Sequence, residues 1–273
     1  MADSGESVAK IGLASVLSGA VPFNFGNIND TYKGQILLDD GSVKHAVIKD
    51  LDPKELCNEL FSYALAKFLD LPVPNGFLAV VDSGSIKIKK SPIDGGKKFL
   101  VFASEDVKSP NVTFRIRNSV AAESLSIIKN LKNWDKLGSV YSFDVWVANI
   151  DRHLGNILIG GPSEYWLIDH GHCFSGPKWS ASDLDPKKHY VHRLSDILTK
   201  HMSASEKTST LGVASVFCGQ VASVDISSLV EFSRIDEILN IIELDALSDF
   251  LQLRKSENYP ITASLLGLPV LVK

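Results

Sequence analysis

The segment of residues 144–174 constrains the fold more than any other part of the sequence, because three polar residues stand in it among apolar runs: Asp151, Asn156 and Asp169. An apolar, helix-like stretch leads into Asp151, and Asn156 opens a strand-like run. A Gly-Gly-Pro-Ser turn then leads to a second run, which ends at Asp169. Two strands joined by a tight turn form an antiparallel hairpin, in which the start of one strand lies beside the end of the other. The sequence therefore predicts that Asn156 and Asp169 converge on one point.

The residue types at this point suit a metal ion and a proton acceptor. An amide and a carboxylate that converge can hold a hard divalent cation such as Mg²⁺, and Asp151, on the loop just before, can accept a proton from an incoming hydroxyl group. The spacing from Asp151 to Asn156 equals that of D-x-x-x-x-N in kinase catalytic loops, and Asp169 begins an Asp-x-Gly like the metal-binding one that follows in that template. The alternative is a buried β-hairpin with a capping aspartate and two turn residues.

The size and composition of the chain argue against several classes of protein. Its 273 residues fit one large domain or two lobes, and a net charge of −4 argues against general nucleic-acid binding, which needs a basic surface. No apolar run approaches the roughly 20 residues of a membrane span, and the polar, acidic start is unlike a signal peptide. Three scattered cysteines indicate reduced thiols. We therefore expect a cytoplasmic protein with no direct nucleic-acid binding.

The first hundred residues predict a set of strands and a single helix. Residues 8–17 form the first predicted strand, and a Gly- and Asn-rich loop follows at 18–34, where backbone N–H groups could approach phosphate oxygens. Ser18 and Gly19 are the candidate contacts in this loop. It lacks G-x-G-x-x-G, so an ordinary connecting loop is equally consistent with the sequence. Two hairpins are then predicted across turn-rich stretches, residues 35–38 with 43–49 and residues 77–81 with 86–89.

Lys49 and Glu59 lie on either side of the point where the strand predicted at residues 43–49 gives way to the predicted helix. Lys49 ends an apolar strand just before a helix, the position of the V-A-I-K lysine that contacts ATP phosphates in kinases; an edge-strand lysine facing water is the alternative. Asp52 as N-cap, Pro53 at the first helical position and Glu55 as partner in a capping box predict where the helix begins. Glu59 lies away from the centre of the apolar stripe, so a solvated glutamate is the default interpretation.

The pattern changes from strands to helices near residue 104. A short apolar strand, residues 99–103, is broken by Ser104, and we interpret the break as a hinge between an N-lobe of residues 1–104 and a C-lobe of residues 105–273. Backbone groups of Phe102, Ala103 and Ser104 could meet an adenine edge there. Strands first and helices later predict an α+β fold with a β-rich N-lobe and a mostly helical C-lobe. The helices are predicted at 119–134, 136–148, 193–202, 204–215, 235–242 and 244–256.

Three stretches resemble the HipA-like kinases: NIDRHLGNILI followed by LIDHGHCF, the N-lobe stretch NELFSYALAKFLDLPVP, and ELDALSDFLQLRKS near the C-terminus. The resemblance covers most of the chain, from about residue 42 to residue 256. It implies a two-lobed protein-kinase-like fold and a serine/threonine protein kinase that uses ATP and Mg²⁺ and has bacterial-toxin-like relatives. The implied partners are a protein substrate with a Ser or Thr hydroxyl group and an antitoxin-like regulator.

The resemblance also assigns roles to individual residues. It makes Asp151 the base and Lys49 the phosphate contact, with Glu59 as the ion-pair partner that holds Lys49. It makes Asn156 and Asp169 the metal ligands.

Two further positions follow from the relatives. His153 lies in their ATP-facing loop, and Ser18 is the candidate for the loop serine that some of them autophosphorylate. Two departures stand out, because Asn149 and Ile150 replace the His-Arg that precedes the catalytic aspartate in common protein kinases, and Asp-His-Gly replaces Asp-Phe-Gly. We infer that phosphorylation of an activation loop does not switch this protein on.

Two other functions are open at this stage. The patterns D-R-H-x-x-N and I-D-x-G recur in phosphoinositide kinases, so a lipid or small-molecule kinase is possible; it would need a basic, membrane-facing surface, to which only the lysines between residues 87 and 98 correspond. The third function is that of a pseudokinase, a binding module that has kept the fold. The joint presence of Lys49, Asp151, Asn156 and Asp169 argues against it, because drift would remove them singly.

Overall fold

A computed structural model describes residues 10–23, 30–94 and 96–270 of the chain. Residues 8 and 9 of the first predicted strand and residues 24–29 of the predicted phosphate-covering loop lie outside the described residues. Within them, the N-terminal region forms a sheet and the C-terminal part is helical, as expected from the order of the sequence patterns.

The elements of the described ranges are numbered along the chain. The strands are β1 (Leu13–Val16), β2 (Val21–Pro22), β3 (Thr31–Leu38), β4 (Val43–Lys49), β5 (Gly76–Asp82), β6 (Ile93–Asp94), β7 (Lys98–Glu105), β8 (Ile157–Gly161) and β9 (Glu164–Leu167). The helices are α1 (Pro53–Phe68), α2 (Val112–Arg117), α3 (Ala121–Lys132), α4 (Leu137–Trp146), α5 (Arg193–Leu198), α6 (Ala204–Ala222), α7 (Ile226–Ser233) and α8 (Ile241–Leu265).

Five strands of the N-terminal region close into a barrel. Their order is β1-β5-β7-β4-β3, and β3 pairs back with β1 to complete the ring. The seam between β1 and β5 is parallel, with Ala14 opposite Ala79, and the other four pairings are antiparallel. The sequence did not predict this closure, because the seam joins residues that are far apart in the chain and no local pattern marks such a pairing.

Small and branched side chains, together with the rings of Tyr32 and Phe77, fill the inside of the barrel. Side chains alternate between the two faces of a strand, and the inward positions include Ala46 and Ile48 of β4 and Val101 and Ala103 of β7, which are all buried. A five-stranded barrel is narrow, so alanine suits several of these positions. The alternation fixes the outer face as well, where Lys49 follows Ile48 and points away from the barrel interior.

Helix α1 is buried around most of its circumference. Every residue from Glu55 to Ala66 is buried, because the helix packs on β5 and β7 on one side and on α7 on another. The ring of Phe61 packs against that of Phe174, which follows β9, with the ring centroids 5.9 Å apart. The default interpretation of Glu59 as a solvated side chain is therefore wrong, since Glu59 is 1% exposed.

The predicted start of α1 is right in one feature and wrong in another. Pro53 occupies the first helical position as predicted, but the side chain of Asp52 makes no capping hydrogen bond. Glu55 is buried, and its carboxylate lies 3.9 Å from Nε2 of His172. The pair of reciprocal bonds that defines the predicted capping box is incomplete, because the Asp52 side chain accepts none from the first turn.

Residues 86–89, predicted as the second strand of a hairpin, do not form a strand, because the chain there binds the buried carboxylate of Asp50. Ile86 makes only an isolated bridge, to Ser83, and β5 pairs with β7 instead. The backbone of residues 89–91 turns around Asp50, whose carboxylate accepts from the backbone N–H of Lys89 and of Ser91, both at 2.8 Å. These bonds supply partners for a carboxylate with no exposed surface, which explains why the segment leaves the extended conformation.

The helical part differs from the prediction mainly at helix ends. The predicted helix 119–134 corresponds to α3, and α2 before it was not predicted. The helix predicted at 235–242 is a single 3-10 turn, Ile235–Glu237, followed by a break. Helix α7 was not predicted, and α8 runs through Pro260 to Leu265. In the described part of the chain no single helix is long and apolar enough to cross a membrane; α6 and α7 have the length and composition only as a pair, bent by 83°.

Candidate active site

The hairpin formed by β8 and β9 brings Asn156 close to the end of β9. Strands β8 and β9 pair antiparallel, with Ile157 opposite Leu167, and the backbone N–H of Ile168 donates to the carbonyl oxygen of Asn156 at 3.1 Å. Asp169 follows directly, at a left-handed φ of 62° that aspartate tolerates better than most residues. The predicted convergence of these two positions is confirmed.

A buried ion pair fixes the loop between α4 and this hairpin. Arg152 lies against Asp144 of α4, and neither side chain has exposed surface. Nη1 of Arg152 donates to the carbonyl oxygens of Asn156 at 3.0 Å and of Ile168 at 2.7 Å. Burial alone would lower the pKa of Arg152, but the Asp144 carboxylate outweighs it and the pKa is raised. The guanidinium is therefore charged, and it ties the start of β8 to the end of β9.

The side chain of Asn156 is held by the loop that precedes it. Its Nδ2 donates to the carbonyl oxygen of Asp151 at 3.0 Å, and the residue is 4% exposed. Because the nitrogen is engaged in this bond, the amide oxygen is the atom that can reach a cation.

Asp151 faces two basic side chains. One of its carboxylate oxygens, Oδ1, lies 2.6 Å from Nη1 of Arg193, and the other, Oδ2, lies 3.8 Å from Nε2 of His153. Its backbone N–H donates to the side-chain oxygen of Asn149 at 3.1 Å. Sequence reasoning missed Arg193, which stands at the start of α5, far along the chain from Asp151.

Lys49 stands between two carboxylates that belong to distant parts of the chain. Its ammonium nitrogen lies 2.5 Å from Oε1 of Glu59 and 3.0 Å from Oδ1 of Asp169. Burial alone would lower the pKa of Lys49, but the two carboxylates reverse this and raise it. The ammonium group is therefore charged, and the contact between Lys49 and Glu59 that the resemblance implied is confirmed.

Glu59 links Lys49 to the segment after β9 through its second oxygen. Oε2 accepts from the backbone N–H of His170 at 3.0 Å. Burial alone would raise the pKa of Glu59, but the Lys49 ammonium and the bond from His170 hold it well below its ordinary value. The ionised carboxylate therefore sets the position of Asp169 as well as that of Lys49.

The comparison with protein families decides the identity of this arrangement. The family model of HipA-like kinases matches residues 38–221, which run from the end of β3 to the end of α6 and include Lys49, Asp151 and Asp169. The chain belongs to the HipA-like kinase family. Among curated proteins, no sequence matches it. The resemblance drawn from the sequence motifs is confirmed, and the family implies a kinase-type phosphotransferase that uses ATP and a divalent metal ion.

In this HipA-like kinase, Asn58 anchors the turn that follows the Asp-His-Gly segment. The side-chain nitrogen of Asn58 donates to three carbonyl oxygens, those of Gly171 at 2.7 Å and of Cys173 and Gly176 at 3.1 Å each. Its side-chain oxygen accepts from Nε1 of Trp179 at 2.9 Å. Asn58 is fully buried, so α1 holds this turn through one amide, which the sequence analysis did not identify.

Gly171 and Cys173 in the same turn have structural explanations. A Cβ atom at Gly171 would lie 2.8 Å from Cγ of Glu55, so only glycine lets α1 approach this closely. Burial raises the pKa of the Cys173 thiol well above its ordinary value, which favours an inert structural thiol.

The other predicted nucleotide contacts of this HipA-like kinase lie in an exposed turn and inside the sheet. Ser18 and Gly19 form an exposed turn between β1 and β2, with Gly19 at a φ of 93°. Phe102, Ala103 and Ser104 lie inside β7, which is paired on both sides by β4 and β5 and continues to Glu105. Their backbone groups are therefore in the middle of the sheet, and the chain leaves it only afterwards.

His153 is turned toward Asp151. Its Nδ1 accepts from the backbone N–H of Gly155 at 2.8 Å, which caps the 3-10 turn Leu154–Asn156, and its Nε2 faces Asp151.

The donor set fits a magnesium ion that nucleotide phosphates also bind. Mg²⁺ in kinase sites is held by one or two protein ligands together with waters and substrate phosphates, not by a protein cage. In the described residues no group of three or more His, Cys, Asp and Glu gathers to hold a metal. Asn156 and Asp169 instead stand at adjacent ends of β8 and β9, and the Asp169 carboxylate is 42% exposed. The residues present therefore suit Mg²⁺ bound with a nucleotide.

Proposed function

We propose that the chain is an ATP-dependent protein kinase that phosphorylates a Ser or Thr hydroxyl group, with the two-lobed protein-kinase-like fold divided near residue 104. The observation that carries the proposal is the Lys49 ammonium group, held between Glu59 and Asp169 at 2.5 and 3.0 Å. A charged lysine beside a half-exposed aspartate makes a place for the phosphates of ATP, because both the lysine and a cation on the aspartate can neutralise phosphate oxygens.

Asp151 is proposed as the base for the incoming hydroxyl group. The hydroxyl oxygen forms a bond to the γ-phosphorus while the bond between that phosphorus and the β–γ bridging oxygen breaks. The hydroxyl proton passes to the carboxylate of Asp151, and ADP leaves with the electron pair of the broken bond. Asn156 and Asp169 would hold Mg²⁺, which supplies charge neutralisation on the phosphates when bound.

The segment of residues 87–98 packs on the barrel. The ammonium of Lys89 pairs with Asp30, and the backbone carbonyl of Lys87 accepts from the hydroxyl of Tyr32 at 2.6 Å. One of the five lysines in this segment is thus neutralised within the protein, which reduces the basic surface that a lipid substrate would need. An antitoxin-like regulator, a cytoplasmic location and autophosphorylation of Ser18 belong to the same proposal and rest on the family.

The test compares two lysines of the same strand. Lys49→Met removes the phosphate contact, whereas Lys44→Met removes an ammonium that pairs with Glu105 at 3.1 Å further along β4. A ligand that binds only the folded protein raises its stability, by about 2.7 kcal/mol at a hundred times its Kd. We expect ATP with Mg²⁺ together to raise the Tm of the wild type and of Lys44→Met and to leave that of Lys49→Met nearly unchanged.

Phosphoryl transfer is measured on the same proteins with radiolabelled ATP and a mixture of serine- and threonine-containing peptides. Transfer by the wild type and by Lys44→Met, and none by Lys49→Met, is the expected result. Nucleotide binding without any transfer would support a pseudokinase, and the absence of any stabilisation by ATP with Mg²⁺ would contradict the proposed function as a whole.

A further inference from the structure

A groove opens next to Asp151, lined by its chain neighbour Ile150 and by its ion-pair partner Arg193. Its volume is about 580 Å³, and it is lined by Ile150 of the catalytic loop, by the turn after the Asp-His-Gly segment and by the stretch that leads into α5. The lining includes the side chains of Trp179 and Tyr190 together with polar groups. A groove that begins next to the proposed base is where the chain that carries the accepted hydroxyl group would lie.

The charge in this groove is positive, although the chain as a whole has a net charge of −4. Lys178, Lys188, His189 and Arg193 line it, against a single carboxylate, that of Asp183. Lys178 and Lys188 are exposed, and in the described ranges neither ammonium group has a carboxylate oxygen within 4.0 Å. The groove therefore has cationic side chains that the rest of the described protein leaves available for a partner.

Arg193 joins this groove to the base. Its Nη1 lies 2.6 Å from Oδ1 of Asp151, and the side chain of Arg193 is 58% exposed while that of Asp151 is 15% exposed. A hydroxyl group that donates to the other carboxylate oxygen over about 2.8 Å would stand roughly 6 Å from the guanidinium. This distance corresponds to about two residues of an extended peptide.

We infer that the groove binds an acidic peptide segment of the substrate, and that Arg193 recognises a carboxylate within about two residues of the accepted hydroxyl group. This inference rests on the proposed kinase function. In the free protein Arg193 is paired with Asp151; when the acidic segment binds, a substrate carboxylate replaces Asp151 as its partner. The exchange leaves the guanidinium paired and frees Oδ1 of Asp151. Lys178 and Lys188 bind acidic residues further along the same segment.

The experiment uses serine peptides that differ at one position. In each peptide one position within three residues of the serine, on either side, carries Asp, Asn or Lys in an otherwise neutral sequence. We expect the wild type to phosphorylate the best Asp peptide with a kcat/KM about tenfold above that of its Asn counterpart, and the Lys counterpart more slowly still. The preference should appear mainly in KM, because the carboxylate contacts are made on binding.

Two variants identify the groups responsible. Arg193→Gln should abolish the preference for the Asp peptide, so that the ratio of kcat/KM on the Asp peptide to that on the Asn peptide falls to about one whatever the rate on the Asn peptide. Lys188→Gln should lower the preference only at the tested positions furthest from the serine. Arg115→Gln is the matched control, because Arg115 is 54% exposed and pairs with Glu123 away from the groove, and it should behave as the wild type.

The outcomes separate this inference from the proposed function. Equal rates on Asp and Asn peptides, or an equal loss on both in Arg193→Gln, would show that Arg193 only positions Asp151 and would overturn the inference. Stabilisation by ATP with Mg²⁺ together with phosphorylation of vesicle inositol lipids, and of no peptide, would overturn the acidic-peptide groove while nucleotide use stands. Failure of ATP with Mg²⁺ to stabilise the wild type would remove both.

Discussion

Arg152 donates from Nε to both carboxylate oxygens of Asp144, at 3.0 and 3.3 Å, in a place where neither side chain meets solvent. The same guanidinium donates to the carbonyl oxygens of Asn156 and Ile168, at the two ends of the hairpin formed by β8 and β9. One ion pair thus connects α4, the catalytic loop and the residue before Asp169.

Asp144→Asn should destabilise the protein by about 3 kcal/mol or more, because removal of one member of a buried ion pair leaves an uncompensated charge. Urea unfolding measures the loss. Glu123→Gln is the control, since its partner Arg115 is exposed and the loss of such a pair costs about 1 kcal/mol or less. Losses of similar size in the two variants would mean that the buried pair does not stabilise the fold in this way.

Substitution of Asp169 and of Asp151 should have different effects on the affinity for ATP with Mg²⁺. Asp169→Asn should weaken the binding of ATP with Mg²⁺ and abolish transfer, because it removes the proposed metal ligand and a partner of Lys49. Asp151→Asn should leave that affinity nearly unchanged and lower transfer by on the order of 10² to 10⁴, the usual contribution of a positioned base.

Titration calorimetry for binding and autophosphorylation or peptide phosphorylation for transfer measure both effects. Melting curves of the two variants serve as the control for folding. An equal loss of nucleotide affinity in both would place Asp151 in the metal shell, and full activity of Asp151→Asn would contradict the mechanism.

Asn58→Asp should destabilise the protein more than Asn58→Ala. The alanine variant leaves three buried carbonyl oxygens without their donor, at a cost of about 1 to 3 kcal/mol, whereas the aspartate variant turns a carboxylate toward the same carbonyl groups. Thermal melting gives the order, with Asn75→Ala, which changes an exposed hydrogen bond to Glu105, as the control. Equal melting temperatures for the two Asn58 variants would contradict the role of the amide donor.

His192 should make the protein less stable in mild acid. Burial lowers the pKa of His192, although Asp144 opposes the shift. The unfolded chain, with a histidine pKa of about 6.5, then binds a proton that the folded chain does not. Stability is therefore complete above pH 6.5 and falls below it, by up to about 1.4 kcal/mol per pH unit, until the folded pKa is reached. Arg152 and Asp196 are the other charged groups that act on the ring.

His192→Asn provides the comparison, because an asparagine can keep the capping bond that Nδ1 of His192 accepts from the backbone N–H of Ser195. The stability difference between wild type and variant, measured by urea unfolding, should shrink from pH 7.5 to pH 5.5. His189→Asn, at an exposed neighbour, should show no such change. A constant difference for His192→Asn would contradict the buried neutral state of the ring.

The sequence predicted what depends on neighbours along the chain. Local periodicity and turn residues predict the hairpin of β8 and β9, the convergence of Asn156 and Asp169, and the strand that ends at Lys49. Arg193 could not be found in this way, because its contact with Asp151 depends on how the stretch after the hairpin folds back. The burial of Glu59 was missed for the same reason, since the barrel and α7 cover faces of α1 that its own pattern leaves polar.

The parallel seam of the barrel has a consequence for how this chain acquires its fold. Strand β1 has β3 available as a partner early in synthesis, but its other edge stays unpaired until β5 has been made, and β5 must also find β7. Closure therefore waits for contacts of large sequence separation, which form slowly and leave strand edges open to wrong partners in the meantime. A chain shortened to begin at residue 38, where the family match starts, would lose β1 and nearly all of β3. The remaining sheet would then be permanently open along β4 and β5, and such a fragment should aggregate more readily than the full chain.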